Sequence, residues 1–144
     1  MCVQHEKIRN LDDDFVCSVL TNFANTLSYI GRLVEANDFF DKAIRVKNHF
    51  AMGIGNKGFL LRKYSDWVFE EKDRLRILQD SKKYLERSLE IIKGEEVVEC
   101  SFRKCLSYVN SKLDVSNSKI EFMSESQNES GREEEKEYTD WCVT

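Results

Sequence analysis

From about residue 15 onward, the hydrophobic positions of this chain fall at helical spacing. Val16, Leu20, Phe23, Ala24 and Leu27 recur at steps of three and four, which places them on one helix face. The stretch "LDDDF" precedes them, and Asp12, Asp13 or Asp14 supplies the side-chain cap of a helix beginning near Phe15. These acids also suit the positive end of the helix dipole. Gly31 ends that helix in this reading, because glycine takes the left-handed cap conformation without strain. A second helix is expected from about Leu33, with Ala36, Phe40, Ala43 and Ile44 on one face. The connection is so short that the two helices are expected to be antiparallel neighbours. Ala24, Ala36 and Ala43 mark where two backbones come close, and Leu20, Leu27 and Phe40 fill the space on either side.

The pattern then returns. In "FAMGIGNKGFLLRKYS", Ile54, Gly58 and Leu61 stand 34 residues after Leu20, Ala24 and Leu27. A period of that length, with paired helices, is the mark of a tetratricopeptide array. The stretch from Cys17 to Phe50 resembles one tetratricopeptide repeat (TPR) through Leu20, Phe23, Ala24, Gly31, Ala36, Phe40 and Ala43. Asn48 stands where the family's unit usually ends in proline. In the second unit the small, large, small set of the second helix is Ser81, Leu85 and Ser88, about 11 residues late. The insertion "SDWVFEEKDRL" either lengthens the helices or forms a loop on their side, and Trp67 within it is a candidate partner anchor.

A third helical pattern runs through Val98, Phe102, Cys105, Leu106, Val109 and Leu113, after a break at Gly94. It is expected to cap the open end of the second repeat. From Asp114 the periodicity fades, and a chain rich in Ser, Asn and Glu is expected to be disordered or loosely attached. The closing "EYTDWCVT" turns apolar again and suggests one piece of a longer protein. The expected organisation is a polar segment over 1–14, a TPR-like helical domain over 15–113 and an acidic flexible tail over 114–144.

Composition agrees with an all-α fold. The 144 residues include no proline and only 6 glycines, with 41% hydrophobic and 33% charged residues. The net charge of −4 and a pI near 5.3 disfavour a nucleic-acid surface. No apolar run approaches the length of a membrane span, and the N-terminus lacks a signal-peptide core, so a cytoplasmic protein is expected. Five cysteines without secretion are expected to be reduced thiols.

Chemistry-bearing constellations are sparse. The histidines His5 and His49 have no companion ligands at metal spacing, so no metal is expected. Cys100 and Cys105 lack the C-x-x-C spacing, and Cys105 reads as core. "GIGNKG" lacks the Lys-Ser/Thr ending of a phosphate loop and falls inside a helix, with Gly58 at the tight crossing and Gly55 merely permissive. No nucleophilic triad is indicated by spacing. The reading is therefore a non-enzyme without cofactor.

What the TPR resemblance implies is a concave groove, lined by the first helix of each repeat, that holds a peptide or protein partner. Its expected lining here is Asn22, Asn25, Tyr29, Met52, Asn56, Phe59 and Lys63, with Ser18 and Thr21 beside them. Asparagine amides both donate to and accept from a peptide backbone, and the aromatic rings supply contact area. Asn25 and Asn56 match the asparagines of the family's carboxylate-gripping version, whereas Thr21 stands where that version has a lysine. Two repeats are near the minimum for stability, which favours self-association into a homo-oligomer or further neighbouring domains. A second resemblance rests on "IGR", "EA", "FDKAI", "FAMGIGNKG" and "EYTDWC" in that order. It is similar to the N-terminal part of prokaryotic proteins that carry a HEPN domain, a helical fold of many RNases, after a TPR region. It implies, as the alternative, a non-catalytic regulatory piece of such a protein. Arg45 and His49 are too close together for the HEPN nuclease motif.

Overall fold

The structure, a computed structural model, describes residues 12–141, with side chains as far as residue 128. It is all-helical, with no strand among the described residues. The helices are α1 (Asp13–Tyr29), α2 (Leu33–Val46), α3 (Ala51–Ser65), α4 (Glu71–Ile91) and α5 (Glu96–Trp141). The chain divides between Asn110 and Ser111 into two units. His5 and Cys2 of the polar segment, and the end of "EYTDWCVT" including Cys142, lie outside the described residues.

Local chemistry sets the helix ends in the first unit. The Asp12 carboxylate caps α1 by accepting from the Asp14 N–H at 3.2 Å. Gly31 follows α1 at φ +87°, where a side chain would be strained. Asp14 pairs with Lys47, tying the first turn of α1 to the residue after α2.

Helix directions follow from who touches whom. The Cys17 thiol donates to the Ala43 carbonyl at 3.3 Å, so the start of α1 lies beside the end of α2 and the two are antiparallel. Ser81 Oγ donates to the Gly58 carbonyl and Ser88 Oγ to the Ala51 carbonyl, each at 2.7 Å, so α4 runs antiparallel to α3. Lys63 Nζ reaches the Ser28 carbonyl at 2.7 Å, end against end, which makes α1 and α3 parallel. α3 also packs against α2.

Ala24, Leu27, Ala36, Phe40 and Leu60 form one buried cluster, with Leu33 and Phe39 against it. Ala24, Ala36, Ala43 and Phe40 have no exposed surface, as their small and large spacing predicts. In the second hairpin Ser81 and Ser88 take the small positions, and their hydroxyls satisfy carbonyls of the facing helix. A Cβ on Gly58 would sit 2.7 Å from Leu85 Cγ, so this crossing needs glycine.

Several expectations are corrected. Phe23 is not core but 48% exposed; Ala24 and Leu27 fill the α1–α2 crossing, and Phe23 sits to its side with its ring edge-on to Phe39 at 4.6 Å. Leu20, Ile44 and Leu61 are half-buried, while Leu60 takes the core place beside α2. Gly55 is not merely permissive, because a Cβ there would lie 2.2 Å from Phe102 Cζ. The insertion forms a turn and lengthens one helix of the second pair, not both. Part of it is the turn before Glu71, held by the Arg74 guanidinium on the Val68 carbonyl at 2.8 Å. The rest lengthens α4 to 21 residues against 14 in α2.

Past Asp114, where a disordered tail was expected, the backbone stays helical to Trp141. No proline and a single glycine, Gly131, interrupt that stretch. Its serines donate back along the helix, Ser118 Oγ to the Asp114 carbonyl at 2.9 Å and Ser126 Oγ to the Phe122 carbonyl at 3.1 Å. No described helix is long and apolar enough to cross a membrane.

Candidate functional site

The surface singled out by the sequence runs along α1 and α3. Parallel packing of these helices brings its residues onto neighbouring elements, but not all of them are presented alike. Asn22, Asn25 and Tyr29 on α1 are exposed, with Tyr29 at 89%. They stand one turn apart or less and form a polar stripe ending in an aromatic ring. On α3, Met52, Asn56, Phe59 and Lys63 are half-buried.

Two of the α3 residues are engaged within the fold. The Phe59 ring lies 5.6 Å from that of Phe102, and the Lys63 ammonium is held by the Ser28 carbonyl. Ser18 is half-buried and donates to the Asp14 carbonyl at 2.7 Å. Thr21 is 3% exposed and sits under α3, where a Cβ on Gly53 would be 3.3 Å from its Oγ1. It is unavailable to a ligand, because the close approach of α1 and α3 covers it.

α5 adds groups that the sequence reading left out. The Arg62 guanidinium lies 4.7 Å over the Tyr108 ring, an attraction of a cation to a π face. Its terminal nitrogen also meets Asp66 at 3.2 Å. Burial pushes the Cys105 thiol from the ordinary 9.0 up to about 11, with the Arg62 charge opposing that rise. A thiol so buried and so protonated is a poor nucleophile.

A second polar cluster was not foreseen either. Lys57 is 7% exposed on α3; its ammonium pairs with Asp41 of α2 and lies 4.7 Å over the Tyr84 ring of α4. Asn37 donates to the other Asp41 oxygen at 3.4 Å, and its own Oδ1 is buried without a partner. Asn37, Lys57 and Tyr84 line a cleft of about 440 Å³, together with Lys83 and Arg87. The signal was present in the 34-residue offset: Lys57 stands where the first unit has Phe23, a charge at an apolar position. A neighbouring apolar cleft, lined by Leu33, Leu60, Tyr64 and Ile77, is about 230 Å³, below the roughly 300 Å³ at which small-molecule sites begin.

Among the described residues no group of three or more His, Cys, Asp or Glu side chains is placed to hold a metal ion. His49 Nδ1 meets the neighbouring Asn48 Oδ1 at 3.0 Å, and Arg45 Nε is directed to the Asp41 carbonyl at 3.4 Å. Trp67 and Phe69, in the turn before α4, are 71% and 100% exposed. Compared with protein-family models, with curated proteins and with solved structures, the chain gives no match.

Proposed function

We propose that this chain is a protein-interaction module of the tetratricopeptide type, which takes an extended peptide along the face of α1 and α3. One observation carries the reading. Two antiparallel helical hairpins follow each other with their first helices parallel, and the exposed side of the leading helix presents Asn22, Asn25 and Tyr29 to solvent. Asparagine amides match the alternating donors and acceptors of a peptide backbone, and a ring exposed at 89% has contact area to lose on binding. Asn56 continues the row on α3. The lining is uncharged on α1, so contact through the main chain and apolar side chains is favoured over capture of a terminal carboxylate, and the burial of Thr21 adds to this.

Selection of displayed random peptides on the intact chain tests the reading. Selected peptides are expected to lose at least tenfold in affinity to Asn25→Ala/Tyr29→Ala, and to keep it against Lys83→Ala in the cleft between α2 and α4. Peptides that bind all three chains equally, or bind only through Trp67, would place the site elsewhere.

A further inference from the structure

The side of the first hairpin that faces away from α3 is open and apolar. Phe15, Val19 and Phe23 follow each other at steps of four on α1 and are 58%, 51% and 48% exposed. The second hairpin shows how unusual that is. Val19 and Phe23 correspond, 34 residues on, to Gly53 and Lys57, and both of those are buried under the first hairpin. Gly53 faces Thr21 and Ala43, and Lys57 is paired with Asp41. The surface that is covered on α3 is therefore uncovered on α1, where it is also more apolar.

Charge on α2 indicates what covers it. Phe39 lies against Phe23, and the Lys42 ammonium lies 4.3 Å over the Phe39 ring, so the rim of this face is the exposed stripe of α2. That stripe reads Glu35, Asp38, Lys42 and Arg45, at steps of three, four and three, all exposed. Its first half is acidic and its second half basic. An antiparallel copy related by a two-fold axis near Phe40 sets Glu35 against Arg45 and Asp38 against Lys42, each twice. The bond from Cys17 to Ala43 and the edge-on contact of Phe23 with Phe39 place Thr21 of α1 about level with Phe40. The same axis then sets Val19 of one chain against Phe23 of the other. A two-fold interface requires that every contact be matched by its reverse, and both helices meet that requirement about one axis.

From this register we infer that the chain pairs with a second copy of itself through α1 and α2, antiparallel, with Val19, Phe23 and Phe39 at the centre and the Glu35, Asp38, Lys42, Arg45 stripe at the rim. The competing local pairs do not prevent it. Arg32 with Glu35 is an exposed pair of the kind that contributes little, and Arg45 uses one nitrogen on a carbonyl.

Sedimentation equilibrium of the intact chain tests this directly. A monomer–dimer equilibrium is expected, weakened several-fold as salt screens the rim. Glu35→Lys/Asp38→Lys makes the stripe wholly basic, and Lys42→Glu/Arg45→Glu makes it wholly acidic. Each variant alone is expected to be monomeric, with affinity down at least tenfold. Their equimolar mixture is expected to form a one-to-one dimer, which also shows that both variants fold. An intact chain that stays monomeric at every concentration overturns the proposal. So do dimers indifferent to either reversal, or reversed chains that do not pair on mixing.

Discussion

Gly55 lies beneath the ring of Phe102, which is 1% exposed, with three ring atoms within 2.7 Å of where a Cβ would be. Alanine is ordinarily the better helix former by about 1 kcal/mol. Here the methyl must displace a buried ring, at about 1 to 3 kcal/mol. Gly55→Ala is therefore expected to bring none of the usual gain and to lower stability by up to about 2 kcal/mol, against the propensity trend. Urea unfolding checks the sign, and a double-mutant cycle with Phe102→Leu is expected to be non-additive because the two sites touch.

Cys105 and Cys17 behave alike at this scale. Burial raises both thiols, and for Cys17 the nearby Asp13 and Asp14 add to the rise. A thiol raised from 9.0 to about 11 favours its neutral form in the fold. Its contribution is thus fully present below pH 9 and is lost as pH climbs through about 11. Urea midpoints are expected to fall across that window, less steeply in Cys105→Ala. With Cys2 and Cys142 replaced by serine, exposed Cys100 is expected to be labelled quickly at pH 8, and Cys17 and Cys105 only on unfolding.

Among the elements, α3 is tied to α1, α2, α4 and the start of α5, and its least expected tie is Lys57 to Asp41. The lysine side chain is 9% exposed and the aspartate 34%, so loss of the carboxylate leaves a buried ammonium while loss of the ammonium leaves a partly hydrated carboxylate. Asp41→Asn is accordingly expected to cost about 1 to 3 kcal/mol, discounted for that exposure, and Lys57→Met under about 1 kcal/mol. Equal losses in the two variants, read by chemical unfolding, would remove this account. Nothing local revealed the pair: a lysine in a helical run reads as solvated, and only the packing of α2 on α3 supplies its partner. The serines of α4 teach the complementary lesson. Their small size was readable at Ser81 and Ser88, but that each hydroxyl meets a carbonyl of α3 was not.

Across the whole molecule the two units differ in how their residues are covered. In α3 every residue but Tyr64 is buried or half-buried, whereas from Asp114 to Asn128 every residue but Ser116 is exposed. A helix without tertiary cover is marginal in water, since packing supplies most helical stability. Hydrogen exchange is expected to be slowest in the amides of α3 and fastest, among the described helices, between Val115 and Asn128. Protection of that stretch equal to α3 would mean that something covers it.

By itself the sequence determined the helical class, a cap among Asp12, Asp13 and Asp14, the left-handed Gly31 and the small positions at Ala24, Ala36, Ala43, Ser81 and Ser88. Each of these follows from spacing and from single-residue preference, which are local. The tertiary structure alone decided what depends on which surfaces meet. It sent Phe23 outward, buried Thr21 and Lys57, set Gly55 under Phe102 and left the α1–α2 face open. Residues beyond Asp114 stay helical for a local reason, since almost nothing in that polar stretch breaks a helix. Periodicity says that a face exists; which neighbour covers that face depends on residues far apart in the chain.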